Sequence, residues 1–168
     1  MNNTLAGLGS EQANLYFYIK NRPPLNLYQN LTSIKKLTPG EISYICEETG
    51  NHWRKIFNVY AKIIFELLPS NLTTWQLLRD EELLQNEEHC LVFSKPDELN
   101  LNSEKIHIIL GKGYAEQLGF AEQCHWLTND FAINNEKRII ISPYFDYRQL
   151  SNIKIALLCR LIQQLNIS

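Results

Sequence analysis

Short apolar runs and longer amphipathic stretches alternate along this chain, and their two periods predict an α/β fold. Three runs in its second half are dominated by apolar residues, at 90–94, 106–110 and 138–142. Continuous apolar runs are typical of parallel strands that are buried on both faces of a sheet. The segments between these runs can cross over from one strand to the next. We therefore predict that the three strands lie side by side and parallel.

Apolar positions at three- and four-residue spacing predict the helices. A wide apolar stripe over residues 52–68 predicts a long helix in which Phe57, Tyr60 and Ile64 are buried. The residues Thr-Pro-Gly-Glu at 38–41 form a capping box. This box predicts the start of another helix, which runs to about residue 48 and precedes the long one. Much of the first half of the chain is therefore expected to be helical.

The remaining segments complete the predicted architecture. Helices are predicted at 74–84, at 112–118 and from 149 onward, a strand at 14–20, and either a strand or an extended loop at 126–133. This order predicts a layered α/β/α domain with a small, mostly parallel sheet and a helical N-terminal half. No linker or repeat divides the chain, so a single α/β domain over residues 1–168 is expected.

Composition narrows the function classes. Hydrophobic residues make up 45% of the 168 residues, which is enough to form a core, and the formal net charge is -2. Without a global basic field, contact with nucleic acid requires a local patch. The four cysteines and four histidines lack the spacing of zinc sites. We predict buried thiols, no bound metal and no cofactor.

The chain shows no sequence signal for a membrane or a secretory route. Its longest greasy segment, 59–68, is interrupted by Lys62 and Glu66 and is shorter than a membrane span. The first ten residues lack a basic region followed by an apolar one. A cytoplasmic protein without membrane contact is therefore expected, and the sequence does not predict its oligomeric state.

Gly111-Lys112-Gly113 follows one predicted strand and opens a helix. Its backbone N–H groups and the Lys112 amine can face an anion at the positive end of that helix. The alternative is a tight turn that needs glycine for a positive φ. The pattern is neither a P-loop nor a dinucleotide fingerprint.

The loop at 142–148, Ser-Pro-Tyr-Phe-Asp-Tyr-Arg, crowds three aromatic residues, an acid and a base at the end of another predicted strand. Aromatic faces stack on planar rings and a guanidinium pairs with phosphate, so this composition suits a nucleotide. The candidate ligand-binding residues are Lys112, Gly113, Tyr144, Phe145, Asp146, Tyr147 and Arg148, with Asp97 as a further carboxylate at the same edge. Alternatively the loop is a structural turn, in which Asp146 caps the last helix, Tyr144 and Phe145 fill the core edge, and Arg148 pairs with Asp146 or another acid.

The run at 108–119, Ile-Ile-Leu-Gly-Lys-Gly-Tyr-Ala-Glu-Gln-Leu-Gly, resembles a strand–loop–helix of the uracil-DNA glycosylase superfamily. There an apolar strand and a following helix each end in Leu-Gly. Residues 139–158 are similar in position to that family's second motif, where a strand ends at His-Pro-Ser and a loop inserts into DNA. The resemblance covers the C-terminal half of the chain and implies a nucleic-acid-related site at this end of the sheet.

The catalytic motifs of that superfamily are not retained. Ser142 stands where the second motif has its catalytic histidine, and 94–97 is the segment nearest in place to the first motif. As a whole the chain resembles a small uncharacterised bacterial protein family, which implies no activity. Two hypotheses follow: a protein that binds a nucleotide or single-stranded nucleic acid, or a noncatalytic interaction or scaffold protein with a structural aromatic loop.

Overall fold

The computed structural model describes residues 5–96 and 104–167, which form an α/β fold with one eight-stranded mixed sheet. The strands are β1 Gly7–Gly9, β2 Leu15–Tyr18, β3 Ile34–Lys35, β4 His89–Val92, β5 Ile106–Leu110, β6 His125–Trp126, β7 Ala132–Asn134 and β8 Ile139–Ser142. The α-helices are α1 Asn26–Gln29, α2 Glu41–Thr49, α3 Asn51–Leu67, α4 Trp75–Glu81, α5 Lys112–Gln117 and α6 Asn152–Ile167. The predicted α/β class is therefore confirmed.

Four parallel strands form the centre of the sheet, in the order β4-β2-β5-β8. The predicted parallel pairing of 106–110 with 138–142 is confirmed. The prediction that the strand at 90–94 pairs with the one at 106–110 is wrong, because β2 lies between them and pairs with both. The carboxyl ends of all four strands consequently meet at one edge of the sheet, here called the carboxyl edge.

Antiparallel strands extend the sheet on both sides, so the sheet is mixed and the prediction of a mostly parallel sheet is correct only in part. On one side β1 pairs antiparallel with β4, and on the other side β8, β7 and β6 follow one another in antiparallel order. The turn between β7 and β8 is too short for a crossover, and the Asn134 side chain accepts the Lys137 N–H within it. A hairpin is the connection that such a turn allows.

The N-terminal half contributes three strands besides its helices, and β2 is a central strand of the sheet. The prediction of a helical N-terminal half is therefore correct only in part. The sequence does not predict β1, because two of its three residues are glycines, which are uncommon in strands. A Cβ on Gly7 would lie 2.3 Å from the carbonyl oxygen of Leu91 on β4, so this close approach requires glycine.

Helices cover both faces of the sheet, but unequally. On one face α3 and α6 pack over the strands, and Phe17 of β2 lies between the rings of Tyr60 and Phe145, at centroid distances of 4.9 and 5.6 Å. On the other face the shorter α5 packs with Tyr114 against a second hydrophobic cluster. The larger hydrophobic core thus lies under α3.

The long helix α3 matches the predicted stripe. Phe57 and Tyr60 have no exposed surface and Ile64 is nearly buried, as predicted. The predicted capping box forms only in part: the Glu41 carboxylate accepts the backbone N–H and the hydroxyl of Thr38, but α2 begins at Glu41, after Gly40, and no side chain caps it. These features depend on local sequence, which explains why the sequence predicts them.

Within the described ranges, no helix is both long enough and apolar enough to cross a membrane. The cysteines Cys46, Cys90 and Cys159 are buried, as predicted, whereas Cys124 is only half-buried. Burial raises the pKa of all four cysteine thiols, and that of the half-buried Cys124 to about 11. All four side chains are therefore thiols rather than thiolates at neutral pH.

Candidate functional site

A cleft with a volume of about 610 Å³ lies at the carboxyl edge, beyond the end of β2. It is formed by the loop that follows β2 and by the first turn of α3. The residues that line it are Lys20, Asn21, Arg22, Pro24, Gln29, His52 and Trp53. Two are cations and none of these described residues is an acid. In open α/β sheets, ligands bind at this position relative to the strands.

Arg22 holds the first wall of the cleft in shape. Its Nη1 donates to the carbonyl oxygens of Tyr28, Gln29 and Leu31 at 3.0, 3.0 and 3.1 Å. These carbonyls lie at the C-terminal end of α1, where a cation is favourable. Lys20 differs, because its exposed amine has no hydrogen bond or ion pair with any described residue. Lys20 is therefore the cation that remains for a ligand.

Tyr144 connects the loop after β8, on which it lies, to the loop after β2 and to the first turn of α3. Its hydroxyl accepts a hydrogen bond from the Asn21 side-chain amide at 3.1 Å and shares another with Nε2 of His52, also at 3.1 Å. Its ring stacks on His52 with the centroids 6.0 Å apart and the planes 18° apart. Burial raises the pKa of Tyr144, which keeps the hydroxyl protonated. The loop after β8 is thus fixed against the cleft.

Phe145 and Asp146 stabilise the loop on which they lie. Phe145 was among the candidate ligand-binding residues, but it is fully buried against Phe17 and Tyr60 and cannot contact a ligand. Asp146 accepts the backbone N–H of Arg148 and two N–H groups of its guanidinium, at 2.8, 3.2 and 2.9 Å. These hydrogen bonds lower the pKa of Asp146 to about 2.

Tyr147 points the other way from Phe145. Its side chain is 55% exposed. The Nζ of Lys55, on α3, lies 5.6 Å from the ring centroid, and the guanidinium carbon of Arg148 lies 5.9 Å from it. An exposed aromatic ring therefore lies close to two cations beside α3.

Lys112 and Gly113 lie on the opposite face of the sheet from this loop. The Nζ of Lys112 lies 4.8 Å from the ring centroid of Trp126, which packs against the cluster under α5. The sequence places Lys112 and Arg148 after different strands, and a ligand that contacts both stays a prediction. The glycine that needs a positive φ is Gly111, at +105°. Asp97 lies outside the described residues.

Ser142, the last residue of β8, is buried. Ser142 has no exposed surface, and its hydroxyl donates to the carbonyl oxygen of Pro143 at 3.0 Å. It therefore cannot contact a ligand at the carboxyl edge. No group of three or more side chains that bind metals occurs within the described part of the chain.

Sequence analysis did not identify Lys20, Asn21, His52 and Lys55 as site residues. One signal was available: Lys20 and Asn21 directly follow a strand, as the other candidate loops do. That signal becomes useful only once β2 is known to be parallel to β5. His52 and Lys55 lie on a helix, where the sequence does not indicate which exposed residues face a neighbouring loop.

Comparison with known families gives one matching family model, over residues 6–163, with the description "Family of unknown function (DUF6942)". No curated protein and no solved structure matches the chain. The matched range contains both segments that form the cleft and the loop that follows β8. The comparisons therefore assign no activity, and the function has to be argued from the geometry of the site.

Proposed function

The chain belongs to the DUF6942 family of unknown function, and we propose that it binds a nucleotide or a nucleic-acid fragment at the carboxyl edge of its sheet. The observation that carries the proposal is the cleft beyond β2, which combines a cationic lining with a position at the ends of parallel strands. Its volume is in the range of small-molecule sites.

The phosphate is the part of the ligand that the cleft suits best. The Lys20 amine provides a charge on a flexible stem, free of other partners among the described residues. Helix α3 begins at the cleft, has no acidic residue in its first turn and has no side chain that caps it. The positive end of the helix dipole adds to the cationic lining and favours an anion there.

The base has suitable partners beside the phosphate. The stacked rings of His52 and Tyr144 present a planar surface at the cleft margin. Asn21 and Gln29 line the cleft. Their side-chain NH2 groups already donate to Tyr144 and to the Pro23 carbonyl, so their amide oxygens are the groups that accept hydrogen bonds from a base. A planar ring joined to a phosphate therefore fits this edge better than an apolar ligand does.

The resemblance to the uracil-DNA glycosylase superfamily supports a binding site at this same end of the sheet, but it does not support base excision. The residue at the place of the catalytic histidine is the buried Ser142. The proposal is accordingly one of binding, with no bond broken.

A second candidate is an interaction or scaffold role with a structural aromatic loop. Burial of Phe145 and the pairing of Asp146 with Arg148 favour it, because both residues stabilise the loop itself.

Calorimetric titration with thymidine monophosphate, adenosine monophosphate and inorganic phosphate tests the first candidate. We expect the wild type to bind at millimolar concentration or below, and Lys20→Gln to weaken binding by about tenfold, as loss of a charged hydrogen bond does. Arg160→Gln is the matched control, because it removes an exposed cation of α6 outside the cleft. If the wild type binds none of the three, or if Lys20→Gln binds as the wild type does, the proposal is wrong.

A further inference from the structure

Lys55 lies three residues after His52 of the cleft, and with Tyr147 and Arg148 it forms a second surface, here called the aromatic platform. We propose that this platform stacks a base of single-stranded nucleic acid while a neighbouring nucleotide occupies the cleft. The ligand is then an oligonucleotide rather than a free nucleotide. This inference rests on the proposed function, since the cleft provides the first contact.

The platform consists of an aromatic ring that contributes little to the core. Tyr147 is 55% exposed, whereas Phe145, two residues earlier in the same loop, has no exposed surface. The Lys55 and Arg148 cations lie within 6 Å of the Tyr147 ring. A ring flanked by cations suits a base with its phosphate, because the ring stacks on the base and the cations attract the backbone.

The loop and the helix run alongside each other in a regular register. Tyr144 stacks on His52, and three residues later Tyr147 contacts Lys55, which is itself three residues after His52. Residues three apart lie on the same side of a helix and are separated by about 4.5 Å along its axis. Stacked nucleotides in a strand are about 3.4 Å apart. The two contacts therefore lie within one turn of each other along α3, close enough for neighbouring nucleotides of one strand to reach both.

The charges of the platform leave an excess of positive charge for phosphates. The Arg148 guanidinium binds both oxygens of Asp146 through Nε and Nη2, so its Nη1 is not used in that pair. The Asp146 side chain is only 15% exposed, while that of Arg148 is 66% exposed. Lys55 has no ion pair among the described residues. A phosphate at the platform therefore meets exposed cations and a neutralised acid.

Binding of oligothymidylates of increasing length, measured by fluorescence anisotropy beside the mononucleotide titration, tests the inference. We expect affinity to rise from the mononucleotide to a tetranucleotide. Tyr147→Ala should lower tetranucleotide affinity by about tenfold and leave mononucleotide affinity unchanged. Tyr147→Phe should bind as the wild type does, because the ring is kept. Tyr44→Ala is the matched control, since Tyr44 is a similarly exposed tyrosine on α2 that does not line the cleft.

The outcomes separate the two proposals. If the mononucleotide binds with dependence on Lys20 but length and Tyr147→Ala have no effect, the platform inference is overturned and the cleft stands. If the tetranucleotide binds with dependence on Tyr147 but not on Lys20, the cleft is overturned, and with it the inference that a neighbouring nucleotide occupies the cleft. Equal losses for Tyr147→Ala and Tyr44→Ala overturn the inference, because they indicate a nonspecific effect.

Discussion

Acidification should destabilise this protein through one buried histidine, His89 of β4. Its ring is nearly inaccessible, and its Nδ1 lies 2.8 Å from the Tyr60 hydroxyl of α3. Burial raises the pKa of Tyr60 well above its ordinary value, so its hydroxyl stays protonated and shares a neutral hydrogen bond with the His89 ring. The folded state therefore holds His89 neutral, and burial lowers the pKa of His89 to about 3.

The sign and size of the effect follow from proton linkage. Between pH 6.5 and 3 the unfolded chain binds a proton at His89 that the folded chain does not, so stability falls as the pH falls. Each pH unit in this window costs about 1.4 kcal/mol. From pH 7.5 to pH 5 we expect His89 to reduce the free energy of unfolding by about 2 kcal/mol.

Urea denaturation at several pH values measures this effect. His89→Asn keeps an acceptor near Tyr60 but removes the titration, so its free energy of unfolding should depend less on pH, by the same amount. Tyr60→Phe removes the hydrogen bond and keeps the burial, so it should retain the pH dependence. The reasoning is refuted if His89→Asn and the wild type lose stability equally on acidification, or if an NMR titration of the folded protein shows His89 protonated at pH 6.

Two further predictions concern residues that the sequence placed in the site. Phe145→Ala should cost about 3 to 5 kcal/mol in urea denaturation, because the buried ring packs on Phe17 and Tyr60; a loss below about 1 kcal/mol would show that the ring is not part of the core. Gly113→Ala should raise thermal stability slightly, by up to about 1 kcal/mol, since α5 has room for the Cβ; reduced nucleotide affinity in this variant would instead indicate a ligand close to that backbone.

Local patterns of the sequence determined several elements of the fold. The apolar stripe of α3, the interaction of Glu41 with Thr38 and the parallel pairing of β5 with β8 all follow from them. Each depends on residues close in the chain or on a continuous apolar run. The physical reason is that helical period, capping and two-sided burial leave their marks within a short window.

The aromatic loop shows where such patterns stop being informative. Sequence analysis found the loop and placed Phe145 and Tyr147 together among the candidate ligand-binding residues, and it did not decide between that interpretation and a turn in which Phe145 fills the core edge. In the structure one ring fills the core and the other is exposed beside Lys55. Loop residues have no fixed period, so only the packing of α3 against the strand ends determines which ring turns inward.

Only the tertiary structure shows the position of β2 in the sheet. That position defines the candidate site. The sequence predicts a strand near 14–20 but not its insertion between β4 and β5. That insertion brings Lys20 to the carboxyl edge and sets it beside His52, which is far from it in the chain. Strand order depends on contacts between distant segments, and the free energy of those contacts comes from burying all the layers together, so no local stretch of sequence specifies it.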